Sequence, residues 1–223
     1  IIKNADKDSG DWMESWNKPK NRSPGHIIHP MSILALGIPG RGKSNMLKQL
    51  FLKHQSSGKK FKKLYIITSS LQTKEWDDCE PDDILTELPT IDFFDGKEKT
   101  CLIIDDYTWT EASKEDLRRL SHIVCHVRSH MNVSVMLGFQ SFFQTPKIAR
   151  ECCNVFMIYK NHSKSEMSQI ASRVGLEIDD MKYIFKNICN KPYDHLMIDL
   201  TIGTPYRLRK NIYQHIVLNE DSD

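Results

Sequence analysis

The sequence predicts an α/β fold of three layers, in which helices cover both faces of a mostly parallel central sheet. Three observations predict it: apolar strands alternate with helical stretches over 32–159, a glycine-rich turn follows the first strand, and a later strand ends in two carboxylates. Continuous apolar strands between helices are typical of parallel sheets that are buried on both faces. The chain of 223 residues suits one substantial core. We therefore expect an N-terminal arm or linker at 1–30 and a single α/β domain at 31–223.

The predicted elements follow from the length and spacing of apolar residues. Short apolar runs bounded by polar residues are assigned to strands, and longer stretches with apolar residues three or four apart are assigned to helices. After residue 160 the pattern changes to two helices, a strand and a mixed tail. The strands are predicted at 32–38, 64–69, 101–105, 133–140, 154–159 and 195–200, with a further short strand at 91–94, and the helices at 45–54, 113–131, 164–173 and 179–188.

Composition excludes several classes of protein. The chain is 39% hydrophobic and 27% charged, with a formal net charge of +2. Its longest apolar runs are about five residues, too short to cross a bilayer. Six cysteines are scattered without a C-x-x-C spacing, which favours a reducing, intracellular setting over a disulfide framework. The small net charge excludes a histone-like polycation, so any contact with nucleic acid must come from local patches.

The glycine-rich turn at 37–44 fits the pattern G-x-x-x-x-G-K-[ST] and lies between a predicted strand and a predicted helix. In that context the backbone N–H groups of the turn and the helix dipole bind nucleotide phosphates. We expect Lys43 to reach the β- and γ-phosphates of ATP and the Ser44 hydroxyl to ligate Mg²⁺. Arg41 either touches phosphate or points into solvent. The residues assigned to nucleotide binding are Gly37, Ile38, Pro39, Gly40, Arg41, Gly42, Lys43, Ser44 and Asn45.

The strand predicted at 101–105 ends in two carboxylates, Asp105 and Asp106. Such residues lie at the carboxyl edge of the sheet, where ligands of α/β proteins bind. We expect Asp105 to hold Mg²⁺ through water and Asp106 to polarise or align the attacking water. A capped turn and an unrelated metal site are the alternatives, and the phosphate-binding turn upstream makes both less favourable.

The next strand ends on an amide, Gln140. At that edge of the sheet a glutamine can bond a γ-phosphate oxygen or the attacking water, and so report hydrolysis to mobile parts of the protein. The alternative is a polar residue that simply opens a loop. Because Gln140 comes one strand after the acidic pair, we favour the sensor role.

In their order along the chain, these segments resemble the poxvirus-type genome-packaging ATPases of large DNA viruses and virophages, within the FtsK–HerA superfamily. The resemblance covers roughly 32–160 and is carried by 37–44, 102–106, 127–132, Gln140 and 146–154. It implies a P-loop NTPase of the RecA-like, additional-strand type. Many relatives carry Glu at the position of Asp106. The Asp106 side chain has a shorter reach than Glu, which implies slow turnover of ATP.

The resemblance also implies a function and partners. In that family, a homo-oligomeric ring of ATPases translocates double-stranded DNA into a preformed capsid. We therefore expect a pentamer or hexamer, ATP and Mg²⁺, a capsid vertex or portal component as partner, and a location in the host cytoplasm, the viral factory or the virion. The alternatives are a viral replicative helicase of another P-loop class and an ATP-binding assembly protein that hydrolyses little.

Ring ATPases commonly use an arginine from the neighbouring subunit, which is worth about 10³–10⁵ in rate. Arg128 lies near the end of the helix predicted at 113–131, about 60° from the centre of its core face, and Arg150 lies on the following loop and helix. We favour Arg128 or Arg150 over Arg41 and leave the choice between the first two open. The predicted core face of that helix consists of Leu117, Leu120, Val124, Val127 and Met131.

Two other patterns have a structural and a functional interpretation. His122, His126 and His130 repeat every four residues, which suggests a zinc site, but they lie opposite the predicted core face and are expected to be solvated. Two basic clusters are either solvated surface or contacts to DNA phosphates. The clusters are Lys59, Lys60, Lys62 and Lys63, and near the C-terminus Arg207, Arg209 and Lys210.

Overall fold

The computed structural model describes residues 2–4, 27, 29–56, 60–69, 74–160, 162–201 and 207–218. The chain divides into two compact units. One unit is Ile28–Cys153, which contains the glycine-rich turn and the acidic strand. The other combines Ile1–Ile27 with Asn154–Asp223. The predicted arm falls mostly on 5–26, which lies outside the described residues, although Ile2–Asn4 forms a strand.

The elements are numbered in chain order. The strands are β1 Ile2–Asn4, β2 Ser32–Leu36, β3 Lys63–Ile67, β4 Asp83–Leu85, β5 Thr100–Ile104, β6 Val133–Phe139, β7 Val155–Tyr159, β8 His195–Asp199, β9 Leu208–Lys210 and β10 Gln214–Ile216. The α-helices are α1 Lys43–Ser56, α2 Lys114–His122, α3 Lys147–Cys152, α4 Lys164–Val174 and α5 Ile178–Tyr183.

In the unit Ile28–Cys153, five parallel strands lie in the order β2, β6, β5, β3, β4. Every residue of β2, β5 and β6 is buried, as expected for the central strands of a parallel sheet. Helix α1 is the next element after β2 and the glycine-rich turn. It buries one face, including Leu47, Leu50 and Phe51. The predicted α/β fold with a mostly parallel central sheet is confirmed.

The short strand predicted at 91–94 is wrong. Ile91–Phe93 is a 3₁₀ helix. Its aromatic residue, Phe93, packs edge-on against Tyr65, with 4.8 Å between the two ring centroids. Side-chain packing rather than strand pairing therefore explains the apolar run. The edge of the sheet is formed instead by β4, whose three residues include an exposed Asp83 and are too few to produce a clear alternation.

The helix predicted at 113–131 begins as expected but changes its winding. A capping box joins Ser113 and Asp116 at its start. The five residues Ile123–Val127 then form a π-helix, and Arg128–His130 return to α-helical winding. The wider turn shifts the buried face relative to a regular 3.6-residue helix. The predicted core position Leu117 is consequently wrong, since 41% of it is exposed, whereas Ile123 is buried.

The histidines of this helix are exposed, as predicted. The rings of His126 and His130 pack at a tilt, with 4.7 Å between their centroids, and His122 also faces solvent. Across the described ranges, no group of three or more His, Cys, Asp or Glu residues is arranged to hold a metal ion. The stripe therefore behaves as a solvated helix face.

The second unit contains an antiparallel sheet in the order β7, β8, β9, β10, β1. Helix α4 begins with a capping box between Ser163 and Glu166 and ends at Gly175 in the left-handed conformation. Helix α5 continues as a π-helix over Ile184–Ile188. None of the helices that the structure describes has both the length and the apolar character that a bilayer crossing requires.

The C-terminal basic cluster is part of the interior of this unit. Arg207 donates hydrogen bonds to the carbonyls of Val174 and Gly175 at the end of α4. Arg209 is fully buried, with one guanidinium nitrogen 3.9 Å from a carboxylate oxygen of Asp199. Arg209 therefore has no surface available to DNA, whereas contact of DNA with the half-buried Arg207 stays a prediction.

Lys210, the third cation of the cluster, also has internal partners. Its ammonium donates to the Ile188 carbonyl and lies 2.8 Å from an Asp194 carboxylate oxygen. The other basic cluster differs, because Lys60 and Lys62 are exposed, whereas Lys63 lies near the carboxylates of Asp95 and Glu98. Lys59 lies outside the described residues.

Candidate nucleotide-binding site

The carboxyl ends of β2, β5 and β6 meet at one edge of the parallel sheet, and each is followed by a predicted site residue. Strand β2 leads into the glycine-rich turn, β5 into Asp105, and β6 into Gln140. Backbone hydrogen bonds fix these ends: the Gly37 N–H donates to the Phe139 carbonyl at 3.1 Å, and the Asp105 N–H to the Ile67 carbonyl at 2.9 Å. Strand pairing alone therefore brings residues distant in sequence to one place.

The glycine-rich turn requires glycine at two positions. Gly40 and Gly42 have φ angles of 74° and 83°, in the left-handed region that a side chain disfavours. Helix α1 begins at Lys43, and its first turn is closed by the Met46 N–H, which donates to the Gly42 carbonyl at 2.9 Å. The turn thus places a helix N-terminus, with its free N–H groups, after a strand, an arrangement that suits phosphate.

Lys43 is almost completely buried, with 6% of its surface exposed. Its ammonium lies 3.4 Å from the Ile38 carbonyl oxygen, so the side chain folds back across the turn. Burial lowers the pKa of Lys43, and the nearby carboxylates of Asp105 and Asp106 partly offset this effect. The sheet edge therefore combines a buried cation with two carboxylates.

The Asp105 carboxyl group is buried beside Ser44. Only 2% of Asp105 is exposed, and this burial raises its pKa to about 6. The Ser44 hydroxyl donates a hydrogen bond to the carboxylate and opposes the shift, as does the Lys43 charge, whereas Asp106 adds to it. Among the described residues, Oδ1 of Asp105 has no hydrogen-bond partner. A buried acceptor of this kind costs free energy unless a ligand satisfies it.

These residues fit a magnesium ion. The Ser44 hydroxyl and the Asp105 carboxylate are adjacent hard oxygen donors, and Mg²⁺ is typically held by one or two protein oxygens together with phosphates and water. The unsatisfied Oδ1 offers a further acceptor at the same place.

Gly138 is a site residue that the sequence reasoning missed. A Cβ at this position of β6 would approach Oδ1 of Asp105 more closely than real Cβ atoms approach any atom. The absence of a side chain therefore makes room for the carboxylate. A lone glycine inside an apolar strand was the available signal, because it often marks the close approach of another group.

Asp106 and Gln140 face a cavity of about 490 Å³ together with Lys43. Asp106 is exposed and adopts a φ of 50°, a strained conformation for a residue with a side chain. Trp109 also lines the cavity and stacks on Phe139 with 5.1 Å between ring centroids. No local pattern marks this tryptophan as a site residue, because its place depends on the loop after β5.

The two candidate arginines lie on neighbouring helical segments of the same unit. A guanidinium nitrogen of Arg128 lies 3.2 Å from the Ser129 hydroxyl. Arg150 in α3 places its guanidinium carbon 4.9 Å from the ring centroid of Phe142. Arg41 is half-buried within the turn. Of the described residues, no arginine lines the cavity that contains Lys43 and Gln140, so an arginine in trans remains a prediction.

Comparisons with solved structures identify the fold, although no protein family and no curated protein matches the sequence. The DNA-packaging ATPase B204 from Sulfolobus turreted icosahedral virus aligns with a TM-score of 0.60 and 14% identity, over 86% of this chain and 100% of that chain. The chain has the fold of this packaging ATPase. The predicted P-loop NTPase fold is thereby confirmed, and the neighbour is of the kind that the sequence resembles.

Two further structures agree. The genome-packaging NTPase B204 from Sulfolobus turreted icosahedral virus 2, in complex with ATPγS, aligns with a TM-score of 0.57 and 15% identity, over 86% of this chain and 100% of that one. The pCW3 conjugation coupling protein TcpA, also with ATPγS, aligns with a TM-score of 0.55 and 13% identity, over 85% of this chain and 60% of that one. At these identities the comparisons establish the fold.

We expect Gly138→Ala to disrupt the metal site. The added Cβ must displace the Asp105 carboxylate, so Mg²⁺-dependent affinity for ATPγS should fall at least about tenfold, as for the loss of one charge-assisted interaction. Titration calorimetry with and without Mg²⁺ measures this. The double variant Gly138→Ala/Asp105→Ala should have the same melting temperature as Asp105→Ala. Its affinity for ATPγS should not regain its dependence on Mg²⁺. Unchanged Mg²⁺-dependent binding by Gly138→Ala would contradict the assignment.

The raised pKa of Asp105 predicts a pH-dependent stability in the absence of nucleotide. The folded-state pKa of about 6 lies above the ordinary value of 3.8. The contribution of Asp105 to the free energy of unfolding is therefore fully present below about pH 4 and is lost as the pH rises through about 6. The loss is at most about 3 kcal/mol. Urea unfolding should therefore show Asp105→Asn gaining stability over the wild type as the pH rises, whereas the exposed control Asp92→Asn follows the wild type. Parallel profiles for wild type and Asp105→Asn would refute this.

Proposed function

We propose that this chain is an ATP-hydrolysing motor that translocates double-stranded viral DNA into a preformed capsid. The observation that carries the proposal is the convergence of Lys43, Ser44 and Asp105 at one sheet edge, beside a cavity lined by Asp106 and Gln140. The fold supports it, because structural neighbours include a DNA-packaging ATPase and a packaging NTPase bound to ATPγS.

In this proposal each residue has a distinct part. The turn and the N-terminus of α1 hold the phosphates of ATP, and the Lys43 ammonium offsets charge on the β- and γ-phosphates. Ser44 and Asp105 would hold Mg²⁺, which would supply further charge neutralisation. Asp106 accepts a proton from, or aligns, the attacking water, and Gln140 bonds that water or a γ-phosphate oxygen. The cavity between these two side chains is the space for the water and the terminal phosphate.

The proposal includes a ring, in which a neighbouring copy supplies an arginine to the cavity. Phosphoryl transfer in such enzymes is helped by an arginine, yet no arginine of the described residues lines the cavity. Arg128 or Arg150 of a neighbouring copy would supply it, in a pentamer or hexamer. Double-stranded DNA and a capsid vertex or portal component are the proposed partners.

Removal of the Lys43 ammonium tests the hydrolytic part. We expect Lys43→Ala to lower the DNA-stimulated ATPase rate at least about a hundredfold, as for other lost electrostatic contacts to a transition state. Phosphate release is measured with and without duplex DNA, beside the exposed control Lys97→Ala, which should retain the wild-type rate.

The same assay separates the alternatives. A packaging motor hydrolyses ATP faster with duplex DNA but does not separate a forked substrate, whereas a helicase does both. An assembly protein binds ATP with little hydrolysis under either condition. Rings that show no stimulation by DNA would count against the motor.

The trans arginine is tested by mixing subunits. We expect Arg128→Ala or Arg150→Ala to lower the ATPase rate of preformed rings by about 10³-fold or more while ATPγS binding persists. Adding Lys43→Ala subunits, which retain the arginine, should restore part of the rate in mixed rings. If both arginine variants hydrolyse ATP at the wild-type rate as oligomers, no arginine of this pair acts in trans.

A further inference from the structure

A second cavity lies within the other unit, away from every residue so far assigned a function. It has a volume of about 440 Å³ and lies at the end of β7, against α4 and the helical stretch that begins with α5. Tyr159, Met167 and Phe185 form its apolar walls. Tyr159 and Phe185 are themselves buried, so these walls are fixed parts of the core and not mobile surface side chains.

The buried side chain of His162 also lines this cavity. Its side chain is 2% exposed, and Nδ1 lies 3.5 Å from a carboxylate oxygen of Glu166. That carboxylate is held in place by the capping box at the start of α4. The other ring nitrogen, Nε2, is buried and has no hydrogen-bond partner among the described residues. A buried polar atom of this kind is expected to bind a ligand or water.

Cations dominate the rim. Lys160, Lys182 and Lys186 all line the cavity. Lys182 forms an ion pair with Asp179 at 2.7 Å, whereas the described part of the chain offers no such partner to Lys160 or Lys186. An N–H group of the His162 imidazole can donate a hydrogen bond to an anion in the cavity. The charges therefore favour an anionic ligand.

From this geometry we infer that the cavity binds the phosphate group of a nucleotide, with the sugar or base against its apolar walls. Phosphate matches the cationic rim and the buried imidazole, and a flat apolar group matches Tyr159, Met167 and Phe185. The nucleotide is either free ATP or a unit of the DNA strand. The inference rests on the proposed function only for the choice of these two sources.

The double variant Lys160→Ala/Lys186→Ala tests the site without disturbing the core, because both side chains are exposed. Two probes are titrated in a Lys43→Ala background, which weakens the competing ATP site at the glycine-rich turn: a fluorescent N-methylanthraniloyl ATP, and a short fluorescein-labelled DNA duplex followed by anisotropy. We expect the affinity for one probe to fall at least about tenfold, as for the loss of one charge-assisted contact. The matched control Lys97→Ala/Lys114→Ala removes two exposed lysines elsewhere and should bind both probes normally.

Each outcome has a defined meaning. Weaker binding of the ATP probe alone identifies free nucleotide, and weaker binding of the duplex alone identifies DNA. His162→Leu should weaken the same probe as the lysine variant, and His162→Gln should weaken it less. If the lysine variant binds both probes like the control, the inference is wrong. Loss of ATPase activity in Lys43→Ala is a separate readout, so the failure of the proposed function and of this site are distinguishable.

Discussion

The buried carboxyl group of Asp105 is the constraint on which the unit Ile28–Cys153 depends. A carboxylate with 2% exposure is unfavourable unless hydrogen bonds and cations compensate it. Here Ser44 donates to it and Lys43 lies nearby, yet burial still raises its pKa to about 6. The register of β5 against β6 must also place Gly138, with no side chain, beside it. The buried carboxylate is thus locally unfavourable, and its oxygens are suited to a cation.

Sequence reasoning succeeded where the determining pattern is local. Buried parallel strands such as β2 and β5 are continuous apolar runs, and the turn that ends in Lys43 has a fixed spacing, so both could be predicted. It failed where packing decides. The π-helical segment Ile123–Val127 shifts a helix face that a regular wheel assigns to Leu117. The role of Gly138 depends on pairing between strands far apart in sequence, which no local pattern encodes.

Composition also could not distinguish cations that face solvent from cations that stabilise the interior. Arg207 binds carbonyl groups at the end of α4, where the helix dipole favours positive charge. Arg209 is fully buried beside Asp199. Both positions look like a basic surface patch in the sequence, yet their partners come from elsewhere in the chain. Lys60 and Lys62 are exposed, and they are the cations that we propose for contact with duplex DNA.

In the proposed ring, the contact between Arg150 and Phe142 would connect the Gln140 loop to an arginine that faces the next copy. Phe142 is buried two residues after Gln140, the side chain that lines the cavity, and its ring lies under the Arg150 guanidinium. A displacement of the Gln140 loop on loss of the γ-phosphate would therefore move the packing surface of Arg150 directly. Arg128 instead donates a hydrogen bond to Ser129, its neighbour in sequence. This difference favours Arg150 as the arginine whose position responds to the state of the nucleotide.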